Sequence, residues 1–270
     1  MAGSNNKIFC ILTPPRSRST LLFRYLYMLK LGKYFHEPAT PCFGFKYAKQ
    51  YWDIWAEDGV CEHYPDMHKK IMEAHQQGHV IIKDMITPFF SEALTSFKDV
   101  DPKCIYPIIL IRNPITALNS MYTKMGTIDP KVEKFLGYDS ILPIINTFSA
   151  MGVRAPLVFD SDDLVRSPEA TISQIRDFTG LDIPFKPTWD PLPSEFDFKT
   201  EWHEYKKRDQ IYHWHGDAIM SSGFKSRLEK TSTTVAEKDR ETYDKILSSL
   251  NIIYRHILAE NYNMKNDVLM

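Results

Sequence analysis

Short continuous apolar runs alternate along this chain with longer stretches in which apolar residues recur every three or four positions. The first run, residues 7–13 (KIFCILT), ends at Pro14-Pro15 and predicts a strand buried on both faces. Residues 19–31 follow with Leu21, Leu22, Tyr25, Leu26 and Leu29 at helical spacing. Residues 80–83, 105–111 and 157–160 predict three further buried strands, and helical stretches near 65–77, 88–98 and 114–125 lie between them. Ser167-Pro168-Glu169 reads as a helix start, with an N-cap, Pro at the first helical position and an acid in the first turn. That helix turns Ile172, Ile175 and Phe178 inward and stops near Gly180. Thr234 to Glu237 fit a capping box, and Tyr243, Ile246, Leu247, Leu250, Ile253 and Ile257 form one stripe on a last, structural helix.

Strand–helix alternation of this kind predicts an α/β fold, a parallel sheet with helices on both faces. Ligands in such folds bind beyond the carboxyl ends of the strands. Two stretches resist the regular reading: 34–64 and 186–230 are aromatic-rich, irregular and too long for simple connections. Long loops in compact domains are often binding loops or lids; the bland alternative is a surface excursion packed by its own aromatics. We read a single domain over residues 1–270 carrying these two loops.

Composition narrows the function classes. Hydrophobic residues make up 43% and charged residues 25% of 270, enough for a sizeable core and inconsistent with wholesale disorder. Lys+Arg 33 against Asp+Glu 34 leave a formal charge of -1, so no global basic field recruits nucleic acid and any anion site is local. No apolar run approaches the roughly 18 residues that span a bilayer. The N-terminal apolar stretch is cut short by Pro14, Pro15 and Arg16, which suits a signal peptide poorly. Cys10, Cys42, Cys61 and Cys104 show no metal spacing, and a reduced, cytoplasmic protein is expected.

The informative segment is Thr13-Pro14-Pro15-Arg16-Ser17-Arg18-Ser19-Thr20, set between the first strand and the first helix. A strand–loop–helix unit aims backbone N–H groups and the positive helix end at one spot, which suits an anion. Ser17, Ser19 and Thr20 add hydroxyls, and Arg16 and Arg18 add charge. The nucleotide-kinase signature GxxxxGK[ST] is absent, since the loop has neither Gly nor Lys. PPRSRSTLL resembles the 5′-phosphosulfate loop of P-loop sulfotransferases, especially the branch with PRSxST. These enzymes use 3′-phosphoadenosine-5′-phosphosulfate (PAPS) as donor. Ile111-Arg112-Asn113-Pro114, with Ser120 eight residues after the arginine, resembles the family's 3′-phosphate motif. A strand-end Arg and a Ser on the next helix can converge on one phosphate, charge plus hydroxyl.

Weaker likenesses extend over most of the chain. Phe35-His36-Glu37-Pro38 is similar to the family's acidic position after the first helix, and residues 80–85 (VIIKDM) to its second central strand. Asp160 through Leu164 with Pro168 resembles the segment before a packing helix, and Trp214-His215 with Ser221-Ser222-Gly223-Phe224 resembles a late W…SxGF stretch. Two departures stand out. Arg18 occupies a position where many members have Gly, and the RKGxxGDW segment is missing. Lys225 and Arg227 are candidate substitutes for its 3′-phosphate contact, or simply a solvated basic face.

The resemblance implies an in-line sulfuryl transfer without a metal, governed by positioning and electrostatic stabilisation. Arg16 matches the family's catalytic Lys or Arg, and its high pKa confines it to an electrostatic role. Ser19 and Thr20 would hold the 5′-phosphate. Glu37 is the first choice of base for a hydroxyl acceptor and His36 the second. Lys83 either faces the sulfonate or pairs with Asp84 on the surface. His203, His213, His215 and Asp217 form no standard zinc pattern. Trp52, Asp53 and Trp55 belong to a stretch that mixes aromatic faces with acids. It fits a cationic small molecule, carbohydrate hydroxyls or ordinary packing. The expected protein is a monomeric or homodimeric tailoring enzyme acting on a small molecule. Its rivals are a P-loop kinase using Asp160 for Mg²⁺ and a nucleotide-binding module without turnover.

Overall fold

The computed structural model describes residues 6–40, 42, 63–86, 93–190, 208–224 and 233–267. Five parallel strands form one sheet in the order β2-β3-β1-β4-β5. They are β1 Ile8–Thr13, β2 Lys33–His36, β3 Val80–Met85, β4 Ile105–Ile111 and β5 Leu157–Asp160. Helix α1 is Ser19–Met28, α2 Tyr64–Gln77, α3 Pro114–Met125, α4 Val132–Leu136 and α5 Ile141–Ala150. After β5 come α6 Asp163–Arg166, α7 Pro168–Thr179, α8 Arg208–Ile219 and the long α9 Glu237–Asp267.

The continuous apolar runs became central strands because both sheet faces are covered. Ile8, Cys10 and Leu12 of β1 pack into one core with residues of α2, α3, α5 and α9, including Met67, Met121, Ile144 and Ile246. Phe9 and Ile11 alternate into a second core with α1 and α7, including Leu22, Ile172 and Ile175. Side chains that alternate across a strand serve both layers at once, so neither face of β1 tolerates a polar residue. Ile11 is fully buried, and truncating such a residue to alanine costs about 2–5 kcal/mol.

The predicted stop of α7 is correct, with Gly180 closing it at φ 63°. At the start of α7, Ser167 is the N-cap and Pro168 the first helical residue, although the serine side chain makes no capping bond. Three expectations change. Strand β2 lies inside the stretch read as irregular; it is four residues long and pairs on one side only, too short to show a period. Helix α8 emerges from the second such stretch. Of the helix expected near 88–98, the described part is a 3₁₀ turn, Leu94–Phe97.

Strand order decides where a ligand goes. The chain leaves β1 toward β2, returns to β3, then crosses over β1 to β4. That reversal opens a crevice beyond the carboxyl ends of β1 and β4, the usual ligand position in open α/β sheets. The loop after β1 holds Arg16, and the residue after β4 is Arg112.

Candidate functional site

The β1–α1 loop is strained where it meets the crevice. Arg16 and Arg18 hold left-handed backbone, φ 67° and 56°, without being glycine. Such conformations cost on the order of 1–3 kcal/mol each and cluster at functional sites. Arg18 is the N-cap of α1 and supplies no side-chain cap, so the positive helix end faces the loop. The Ser17 hydroxyl is buried with no hydrogen-bond partner among the described residues. An orphaned buried hydroxyl beside a helix N-terminus fits a phosphate oxygen as its missing partner.

Three guanidinium groups converge there. Arg112 donates to the Arg16 carbonyl at 2.6 Å, and Tyr138 Oη donates to the Arg112 carbonyl at 2.7 Å. Arg16 Nε donates to Ser120 Oγ at 3.0 Å, and its Nη1 to the Trp214 carbonyl at 2.9 Å. The Arg16 guanidinium also lies 5.8 Å from the Trp214 ring centroid, within cation–π range. Arg18 Nε donates to Asp162 Oδ1 at 3.0 Å, and Arg112 Nε stands 3.4 Å from the same oxygen. Burial lowers the Arg16 guanidinium, opposed by Asp217 and Glu37. Burial, with Arg18 beside it, pulls Arg112 down to about 10. Both remain cationic at neutral pH.

A second cluster forms at the ends of β2 and β3. Lys83 is buried and its ammonium donates to Glu37 Oε1. Glu37 is itself left-handed, φ 50°, and its N–H donates to the Lys83 carbonyl at 2.5 Å. His36 Nε2 lies 4.0 Å from Glu37 Oε1, and the His36 ring meets that of His215 edge to face at 5.1 Å. His215 Nδ1 shares a hydrogen bond with Thr20 Oγ1 at 3.1 Å, joining this cluster to the phosphate loop. Burial alone would raise the Glu37 carboxyl, but Lys83, with His36 and His215 near, holds it below the usual carboxylate range. Burial, with Lys83 and Arg16 adding to it against Glu37, drops His215 to about 4. His36, Glu37 and His215 have ligand atoms within 4.8 Å of one another, a spacing a metal ion can bridge. The Lys83 ammonium already takes a Glu37 oxygen, however, and Arg16 adds positive charge nearby.

Arg16, Ser17, Arg18, Ser19, Thr20, Arg112 and Ser120 therefore gather at one crevice, with His36, Glu37 and Lys83 beside it. Lys83 pairs with Glu37 rather than with Asp84, because neighbours on a strand point to opposite faces. Asp84 is buried instead, accepting from Ala39 N at 2.6 Å, Thr40 Oγ1 at 2.8 Å and Met85 N at 2.8 Å. Trp52, Asp53, Trp55, His203, Lys225 and Arg227 lie outside the described residues. Asp160, the kinase-like candidate, has its carboxylate taken by Tyr254 Oη at 2.9 Å and Asp162 N at 2.8 Å. In the late motif, Gly223 is needed for packing. A Cβ there would meet the Pro187 carbonyl at 2.7 Å, and Trp189 N donates to Ser222 O at 3.1 Å. Sequence reasoning missed Asp162 and the part played by His215, whose one available signal was its place beside Trp214.

The same architecture occurs in solved structures. The sulfotransferase domain of the Synechococcus PCC 7002 olefin synthase superimposes with a TM-score of 0.51 at 17% identity, over 92% of this chain and 96% of that one. This chain has a sulfotransferase fold. The sulfotransferase domain from the curacin biosynthetic pathway gives 0.47 at 17% identity, covering 91% of this chain and 98% of that one. A sulfotransferase from Alicyclobacillus acidocaldarius gives 0.45 at 14% identity, covering 80% and 93%. No family model matches the sequence. A 101-residue stretch is 34% identical to the branched-chain-amino-acid aminotransferase-like protein 2 of Arabidopsis thaliana. It covers 36% of this chain and 17% of that protein's length. No helix among the described residues is long and apolar enough to cross a membrane.

Proposed function

We propose that this protein transfers a sulfuryl group from PAPS to a hydroxyl, amine or amide nitrogen of a small-molecule acceptor, releasing 3′,5′-adenosine bisphosphate. The observation that carries the reading is the meeting of Arg16, Ser120 and Arg112 at the crevice between β1 and β4. Bound there, PAPS supplies an activated sulfur whose bond to the 5′-phosphate oxygen breaks as the acceptor–sulfur bond forms. Ser17, Ser19, Thr20 and the α1 N-terminus hold the 5′-phosphate, and Arg112 with Ser120 holds the 3′-phosphate. Arg16 stabilises the charge that grows on the leaving oxygen. Its orientation is set in advance by Ser120 and the Trp214 carbonyl, so no reorganisation is needed during transfer.

The acceptor proton needs a base whose lone pair is free. His215 is neutral above about pH 4 and is oriented by Thr20, so it takes this role in preference to Glu37. The Glu37 carboxylate is tied to Lys83 and too weakly basic to compete. Glu37 then orients Lys83 and His36 around the transferred group. The segment containing Trp52, Asp53 and Trp55 is proposed to contact the acceptor.

Calorimetric titration tests the donor. Tight binding of adenosine 3′,5′-bisphosphate, lost in Arg112→Ala, is expected, followed by turnover of PAPS with a suitable acceptor. Binding of Mg·ATP without the bisphosphate overturns the proposal.

A further inference from the structure

The Asp162 carboxylate occupies an unusual position. Asp162 is the N-cap of α6, where an aspartate ordinarily bonds its own helix, yet its side chain makes no capping bond. It turns instead to the guanidinium groups, accepting from Arg18 Nε at 3.0 Å with Arg112 Nε 3.4 Å from the same oxygen. The Asp162 backbone is fixed separately, its N–H donating to Asp160 Oδ1 at 2.8 Å. With the backbone held by that bond, the carboxylate, whose side chain is 17% exposed, can leave the arginines toward solvent without moving the chain. Arg16 is bonded to Ser120 and the Trp214 carbonyl, whereas Arg18 and Arg112 both face the Asp162 carboxylate. Residue 161 beside it adds a fully buried serine hydroxyl with no hydrogen-bond partner among the described residues.

We infer that Asp162 is a built-in counter-anion: its carboxylate holds the place between Arg18 and Arg112 that the nucleotide's 3′-phosphate takes over. The assignment of that phosphate as the 3′ group rests on the donor reading above. In this arrangement Arg18, which stands where a glycine would leave the loop uncharged, is the second cation of the phosphate site. Displacing the resident carboxylate lowers the affinity of an anion that takes this place, whereas a nucleotide without a 3′-phosphate leaves Asp162 between the arginines and gains nothing from them. Asp162 thus sets donor affinity, and Arg18 with Arg112 makes the 3′-phosphate the selected group.

The test is calorimetry on Asp162→Asn with three probes: adenosine 3′,5′-bisphosphate, adenosine 5′-monophosphate and inorganic phosphate. Removing the internal anion is expected to tighten the bisphosphate about tenfold or more and to leave the monophosphate within about twofold. Arg18→Gln is expected to weaken the bisphosphate and to abolish the gain when combined with Asp162→Asn. Should the asparagine variant fail to fold, Asp162→Ser removes the same charge with a smaller polar side chain. Unchanged or weaker bisphosphate binding in a folded variant overturns the inference, since Asp162 would then be holding the arginines in place. If the unaltered protein binds no bisphosphate, the donor reading falls by itself and inorganic phosphate decides. Tighter phosphate binding in Asp162→Asn upholds the counter-anion, and equal or absent binding in both proteins overturns it.

Discussion

The two halves of the site solve different electrostatic problems. At the ends of β1 and β4, Arg18 and Arg112 share one oxygen of the Asp162 carboxylate, so two guanidinium groups meet one negative charge and an anion would complete the balance. At the ends of β2 and β3, Lys83 and Glu37 cancel each other, and the neutral His215 ring adjoins them. On the proposed reading, the first half binds the donor's phosphates and the second takes the acceptor's proton. Burial acts on both, but it leaves arginine cationic while it lowers His215 to about 4. Glu37 and Asp84 make the point within one sheet edge. Lys83 keeps Glu37 ionised, whereas burial, with Glu37 adding to it, pushes Asp84 up to about 7 against the hydrogen bonds it accepts.

The largest expected effect breaks the charge-balanced half. Glu37→Gln leaves the Lys83 ammonium buried and unpaired, which costs about 3–5 kcal/mol in denaturant unfolding. The double variant Glu37→Gln, Lys83→Met should recover part of that loss, and strict additivity would show that the pair is not coupled. Next comes Arg16→Ala, expected to lower kcat about 10²–10³-fold with a smaller change in bisphosphate affinity. An equal loss in both would make Arg16 a binding group only.

His215→Ala should lower kcat about 10²-fold or more. In the unaltered enzyme the rate should fall as pH drops through about 4, where His215 gains a proton and can no longer accept one. A rate that persists below that pH excludes it as the base. Arg112→Ala should weaken adenosine 3′,5′-bisphosphate by about 1.5–3 kcal/mol, read by calorimetry.

A separate, pH-dependent effect concerns Asp84. Its folded pKa, about 7, is raised from an ordinary 3.8, so the folded state binds the extra proton between those values. Its contribution to stability is full below about pH 4 and is lost as pH rises through 7. Thermal melts from pH 4 to 8 should show this decline in the unaltered protein. Asp84→Asn should flatten it while being less stable throughout, because one acceptor position facing Ala39 N becomes a donor.

Much of the sheet was legible in the sequence, because β1, β3, β4 and β5 are contiguous apolar runs whose meaning does not depend on partners. The phosphate loop was legible for the same reason, as eight consecutive residues between a strand and a helix. Strand β2 was not, since KYFH is too short to carry a period and pairs only through β3. Lys83 could be read as facing the site or pairing with Asp84. Only the sheet register, which sets His36 beside Lys83, brings the turn with Glu37 under the ammonium. Asp162 read as part of the segment before a packing helix, and nothing local says that its side chain turns to Arg18 and Arg112.

By itself, then, the sequence determined four of the five strands, several helices and the β1–α1 loop, features built from neighbours in the chain and from the alternation of apolar and polar positions. Tertiary structure alone decided which charges meet. Lys83 reaches Glu37 across 46 positions, Arg18 reaches Asp162 across 144, and Thr20 reaches His215 across 195. Those distances are closed by the order of the strands, which seats β1 between β3 and β4 and so collects groups from remote segments at one edge of the sheet. Burial at that edge then lowers His215, and burial is a property of the packed molecule.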